Sequence, residues 1–227
     1  MRRLFNFAQQ AEMWHGDNPA AKVKRFHEPS RTRFLQPEEL ARLFTALRKE
    51  PNRDLRDFVL LSLWTGARRG DVLTMRWQNI ELADNRWSVP EPKNRTPYAV
   101  PLVREAIEIL KDRQSICGTS PWVFPSHGAS GHLVNLKRGW NGLLARAKIT
   151  DLRIHDLRRT LGSWQAASGA SLPVIGKSLG HRSTCATQIY ARLDLDPVRA
   201  SVTAATQAMI AAAKKKPKQL TAAGGGA

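Results

Sequence analysis

Cysteine is almost absent: Cys117 and Cys185 are the only two in 227 residues. Two cannot build a disulfide framework, and without a C-x-x-C pair they cannot form a Cys-rich zinc site. Both read as structural thiols. The six histidines show no metal-ligand spacing, and no H-E-x-x-H is present. No metal site is therefore expected. Neither G-x-x-x-x-G-K-[ST] nor G-x-G-x-x-G occurs, so no nucleotide cofactor is expected. Long apolar runs are missing too. The stretch 58–64 is interrupted by Ser62 and falls far short of the ~20 residues a membrane span needs. The opening Met1-Arg2-Arg3 leads into no sustained apolar segment, so no signal peptide is expected. Acidic residues are few, 19 against 36 Lys and Arg. Their scarcity in the second half counts against a two-metal nuclease.

The excess of base is the first positive signal. A net charge of +17 and a pI near 10.9 call for a polyanionic partner, most commonly nucleic acid. Hydrophobic residues make up 42% of the chain, so a core can form around that charge.

The chain divides by pattern. Residues 3–15 carry Leu4, Phe5, Phe7, Ala8, Ala11, Met13 and Trp14 in helical style, with no capping signal before them. They read as the last helix of a domain whose earlier part is absent (1–17). Asn18-Pro19 breaks that helix. A basic linker follows over 18–33, with Lys22, Lys24, Arg25, Arg31 and Arg33. It is either a solvated tether or a strand lying along phosphates. The main domain is expected over 34–213. Pro37 with Glu38 and Glu39 starts a helix, and Leu40, Leu43, Phe44 and Leu47 give it one apolar face. Further helices are expected at 54–64, ending at Gly66, and at 70–76. Three short strands then fit 79–82, 86–89 and 98–101, with a hairpin turn at 83–85. Helical periodicity returns at 103–113, 133–147, 156–168, 172–179, 183–193 and an Ala-rich 197–213. The tail 214–227, with Lys214–Lys216 and three glycines, is expected to be disordered. The fold class is α+β, mainly helical, with one small three-stranded antiparallel sheet.

Breaking a phosphodiester without metal needs cations on the non-bridging oxygens, a nucleophile and a general acid. Arginine suits the first task because its planar fork stays charged and binds bidentately. The nucleophile search is short, since the chain has two tyrosines. Tyr98 falls in a strand, where an aromatic is usually structural. Tyr190 alone would read as a packing residue. Its company raises it: Thr65-Gly66-Ala67-Arg68-Arg69-Gly70-Asp71, His155-Asp156-Leu157-Arg158, Leu179-Gly180-His181, and then Tyr190 nine positions beyond that histidine.

These four segments, in this order, resemble the tyrosine recombinase, or phage integrase, family. Its patterns are T-G-x-R-x-x-E, H-x-x-R, L-G-H and a spaced Tyr. The resemblance covers roughly 34–213, and the opening helix and linker resemble the end of the family's DNA-clamping domain. It implies these roles. Arg68 and Arg158 clamp the phosphate. His155 is an acid–base or hydrogen-bonding partner, and His181 hydrogen-bonds a phosphate oxygen. Tyr190 is the nucleophile, forming a 3′-phosphotyrosyl link. Asp71 stands where the family has Glu and would orient an active-site arginine. Lys93, in the turn 91–97, would protonate the leaving 5′-hydroxyl, with Arg95 as substitute. The implied function is site-specific recombination of double-stranded DNA by two transesterifications, without cofactor. The implied assembly is a homo-tetramer on DNA, linked through the C-terminal helix, in a cytoplasmic, nucleoid-associated protein. Two other readings stay open: a truncated, non-catalytic DNA-binding module, and a type IB topoisomerase-like relaxing enzyme.

Overall fold

The computed structural model describes residues 1–24, 26, 31–90, 96–181, 183 and 186–192, and six positions between 202 and 209. The chain forms two compact units, Met1–Arg31 and Thr32–Ala227. The first holds helix α1 (Arg2–Gln10). Arg2 donates to the carbonyls of Ala20, Ala21 and Val23, which folds the following segment back on α1. Phe5 meets Trp14 edge to face. The helix stops four residues earlier than Trp14, where Glu12 takes a left-handed conformation (φ +57°), and the side chains of Gln9 and Trp14 donate to the Gly16 and Asp17 carbonyls beyond it.

The second unit opens with an anchored arginine. Arg33 pairs with Glu39 at 2.5 Å, so the last residue of the expected linker is tied to the first turn of α2 (Pro37–Arg48). Glu39 also accepts from the Gln36 amide, closing the helix start. Helix α3 (Arg53–Thr65) is capped by Asn52, whose side chain accepts from Leu55 N–H at 3.0 Å. The short α4 (Arg69–Leu73) follows. Strands β1 (Ile80–Glu81), β2 (Arg86–Val89) and β3 (Tyr98–Pro101) form an antiparallel sheet in sequence order. Trp87 opposes Val100, and Val89 opposes Tyr98. Period-2 alternation puts Trp87, Val89 and Val100 inside.

Helices α5 (Arg104–Gln114), α6 (Lys137–Ala147), α7 (Ile154–Ala167) and α8 (Leu172–Ser178) complete the unit. The core is one cluster centred on α3, which packs on α5 and α7, while α2 packs on α6. Phe58, Trp87 and Phe124 are its largest fully buried side chains. Arg113 lies within it, 3% exposed. It donates to Asp57 at 3.0 Å, Asp54 at 2.7 Å and the Val123 carbonyl at 2.8 Å, over the Phe124 ring. A buried guanidinium is tolerated only when its donors are met in this way.

The architecture is the mainly helical α+β fold expected. In the second unit the helical bounds differ most in two places. The 133–147 helix begins only at Lys137, because Leu133 bonds back to Phe124 in extended form. The helix expected over 183–193 is a 3₁₀ turn, Gln188–Arg192. The tail 214–227 lies outside the described residues, as does much of 197–213. Within the latter, the six described positions are helical. Among the described residues no helix is long and apolar enough to cross a membrane.

Candidate active site

Helix α7 is the spine of the site. Its first turn is closed by Asp156, fully buried, whose carboxylate accepts from the Arg153 amide at 2.8 Å and from Arg159 at 2.5 Å. Asp156 is thus the cap that sets the helix's start. Thr160 fixes its other side, accepting from the Leu35 amide at 3.0 Å. With the helix fixed, His155 and Arg158 stand one turn apart on one face. Arg158 is 4% exposed. One Nη donates to the Gly66 carbonyl at 2.7 Å, at the end of α3. The other donates to the Leu179 carbonyl, at the end of α8.

Arg68 precedes α4, with extended backbone. Its Nη2 lies 3.5 Å from the Gly180 carbonyl, and its Nη1 lies 3.8 Å from Asp71 Oδ2. That Nη1 is buried and donates no hydrogen bond. A buried, unsatisfied cationic donor calls for an explanation, and an incoming anion is one. Asp71 also accepts from the Tyr98 hydroxyl at 2.9 Å. Burial raises the Asp71 carboxyl above the usual carboxylate range, while Tyr98, Arg68 and Arg158 oppose that shift.

His181 follows the left-handed Gly180 (φ +60°). Its Nδ1 lies 2.9 Å from Thr187 Oγ1, and its ring stacks on Tyr190 with centroids 6.4 Å apart and planes 7° apart. Burial, then Arg158, Arg68 and His155, lower its pKa to about 4, so the ring is neutral at neutral pH. His155 is also shifted down, first by partial burial of its ring and then by Arg159 and Arg158. The His155 residue as a whole is solvent-exposed, so its reach outward is open.

Tyr190 sits in the 3₁₀ turn, 4% exposed, beside Ile175 and Leu179. Its ring lies against Gly162 of α7. A Cβ there would stand 2.5 Å from Tyr190 Cζ and 2.9 Å from its hydroxyl. Burial raises the Tyr190 pKa, while Arg158 and Arg159 pull it down. Arg68, Asp71, His155, Arg158, His181 and Tyr190 are therefore gathered into one neighbourhood, near enough to move one another's proton affinities. Lys93 and Arg95 lie outside the described residues, as does Cys185. Among the described residues no group of His, Cys, Asp or Glu could hold a metal ion.

The order of motifs and their convergence can now be set beside known proteins. The model of the phage integrase family matches residues 33–196. The chain belongs to that family. This integrase-family chain is 28% identical over 176 residues to the prophage integrase IntF of Escherichia coli strain K12, covering 73% of this chain and 36% of that protein. It is 31% identical over 177 residues to the integrase of Salmonella phage P22, covering 72% and 44%. It thus spans less than half the length of either relative. A structure of the Tn1549 transposon integrase in complex with transposon right end DNA matches with a TM-score of 0.68 at 14% identity, over 90% of this chain and 76% of that one. The catalytic domain of bacteriophage HP1 integrase matches at 0.56 and 23%, over 75% and 93%. At such identities these structures bear on the fold.

Two contacts in the candidate site have no motif in the sequence. Thr187, 2% exposed, orients His181, yet a Thr six residues on carries no motif. Gly162 makes room for the Tyr190 ring. A glycine inside an amphipathic helix was the available signal, since it costs helix stability and needs a packing reason.

Proposed function

We propose that this chain carries the DNA-cutting and rejoining centre of a site-specific recombinase. The observation that carries the reading is the placing of Tyr190: stacked on His181, and electrostatically coupled to Arg158. Arg68 and Arg158 would hold the non-bridging oxygens of the scissile phosphate. Arg68 Nη1 is buried without a hydrogen-bond partner, as a waiting ligand donor would be. His181, taking the Thr187 hydroxyl at Nδ1, would carry its proton on Nε2 and offer it to a third oxygen. Asp71 would orient Arg68.

In the first step the Tyr190 oxygen bonds to phosphorus, and the bond from phosphorus to the 5′-oxygen breaks. The phenol proton passes to a base, the role this reading gives to His155. The leaving 5′-oxygen takes a proton from Lys93, or from Arg95 in its stead. A 5′-hydroxyl of another strand then attacks the phosphotyrosine and reverses the step. The bond energy is kept throughout, so no nucleotide is consumed. Burial raises the Tyr190 pKa, so this reading has its proton leave as the bond to phosphorus forms.

The partner is double-stranded DNA, supported by the +17 charge and by the DNA in the related Tn1549 complex. Residues 34–213 form the catalytic domain in this reading, and 1–17 with the linker 18–33 belong to a DNA clamp. A homo-tetramer on DNA, joined through the C-terminal helix, and a cytoplasmic, nucleoid-associated location follow from the same reading. The test is a suicide substrate bearing the cognate site, nicked so that cleavage cannot reverse. A covalent protein–DNA band that disappears in Tyr190→Phe supports the proposal. DNA binding with no such band would leave a binding module, and plasmid relaxation without recombinants would leave a relaxing enzyme.

A further inference from the structure

Tyr98 lies outside the four recombinase motifs, yet it touches both groups that hold Arg68. Its hydroxyl donates to Asp71 Oδ2 at 2.9 Å, the oxygen that faces Arg68 Nη1 at 3.8 Å. Its ring occupies the space beside Gly180. A Cβ on that glycine would stand 2.6 Å from Tyr98 Cδ2. The Gly180 carbonyl is the other group near Arg68, 3.5 Å from Nη2. Both contacts of Arg68 are long, so neither fixes the guanidinium alone. Its direction then depends on how firmly the carboxylate and the carbonyl are themselves held.

We propose that Tyr98 is a positioning residue for Arg68, fixing through its hydroxyl the carboxylate, and through its ring the Gly180 turn, between which the guanidinium lies. The proposal rests on the reading of Arg68 as a phosphate-binding group. Strand β3 supplies a rigid base for this, since Tyr98 is locked in register opposite Val89. The long spacing to Asp71 has a use. An Asp71 oxygen already bonded to Tyr98 does not close a short bidentate pair with Arg68, and Nη1 stays open to a phosphate oxygen.

The arrangement also sets a pH response. The groups that face the Asp71 carboxyl are Tyr98 from β3, Arg68 from the start of α4 and Arg158 from α7. Burial favours its neutral form, and the Tyr98 hydrogen bond is the first influence opposing this. Tyr98→Phe keeps the ring on Gly180 but removes the hydroxyl. Asp71 then holds its proton to higher pH, and its grip on Arg68 weakens on the acid side.

The experiment compares single-turnover cleavage of the nicked substrate by the parent, Tyr98→Phe, Asp71→Asn and the double variant across pH. Tyr98→Phe is expected to cleave about tenfold more slowly at pH 7, roughly 1.4 kcal/mol by the usual conversion. The deficit should shrink as pH rises, with the Kd for DNA unchanged. The double variant should be no slower than Asp71→Asn alone, because the hydroxyl acts through the carboxylate. A parental rate and pH profile in Tyr98→Phe overturns the proposal. So does an equal loss of DNA binding and melting temperature, which marks a merely structural tyrosine, or additive losses in the double variant. A second measurement needs no catalysis. In the DNA-free protein, the Asp71 carboxyl carbon should titrate at higher pH in Tyr98→Phe, and the separate Nη signals of Arg68 should merge. Unmoved signals overturn the inference. If the parent forms no covalent band, the recombinase reading fails and this second measurement alone decides the role of Tyr98.

Discussion

Gly162→Ala should disable the chain by moving one ring. The substitution adds a single carbon on α7, 2.5 Å from Tyr190 Cζ. Carbon atoms settle at about 3.5 Å or more, so the ring must retreat by about 1 Å. The alternative is to move α7 itself, which also carries Arg158 and is packed on α3. The ring is the softer element, since it hangs from a 3₁₀ turn in a small side cluster. A misplacement of about 1 Å at a reacting group costs on the order of 100-fold in rate, or about 2.7 kcal/mol. Stability should change much less. Replacing a mid-helix glycine with alanine gains up to about 1 kcal/mol, and local overpacking costs about 1–3 kcal/mol. The two offset to within about 2 kcal/mol. The assay is the single-turnover appearance of the covalent band, with urea unfolding of the same preparation. Gly142→Ala on α6 is the control, because its Cβ would meet only the flexible end of Arg146 at 3.4 Å. Parental cleavage by Gly162→Ala would refute the placing of Tyr190. So would a loss of cleavage matched by global unfolding.

Arg113→Met should lower the free energy of unfolding by about 2 kcal/mol, read as a shift in the urea midpoint, because it removes the buried partner of Asp57 and leaves that carboxylate to the more exposed Arg56 at 3.0 Å and Arg53 at 3.7 Å; a change below about 1 kcal/mol would contradict the role given to that ion cluster. Acid should destabilise the fold through His181. Its pKa is about 4 in the fold against 6.5 in the open chain, so between these values the unfolded state binds the extra proton. The stability is complete above pH 6.5 and falls as pH drops toward 4, by at most about 3 kcal/mol and less for a partly solvated ring. An NMR titration placing the His181 midpoint near 6.5 would sink this expectation.

Much of the site was legible through the resemblance of four segments to the family's motifs, and within it only His155 and Arg158, one helical turn apart, are joined by local spacing. The sheet was legible because alternation around Trp87 and Val100 needs only neighbours. What escaped was long-range. The Tyr98–Asp71 bond spans 27 positions and depends on how β3 lies against α4. Asp156 gives no sign of its role in the sequence, because a buried capping carboxylate looks like any acidic residue between two motif positions. The 3₁₀ turn at Gln188–Arg192 replaced an expected helix for a tertiary reason. The Tyr190 ring packs against α7 there, and packing outweighs the weak propensity of so short a segment.

Arg158 carries a consequence for descent. Its two Nη groups join the carbonyl ends of α3 and α8, two helix termini that would otherwise face each other with like partial charge. Lysine could not do this, having a single point of charge where a fork is needed. The arginine proposed to clamp the phosphate is therefore also a structural rivet. A descendant that gave up DNA cleavage could exchange Tyr190 only for another side chain that fills its place against Gly162, Ile175 and Leu179, and it would still need Arg158 to join the ends of α3 and α8. On the reading proposed above, an arginine kept at this position in a relative without the tyrosine marks architecture.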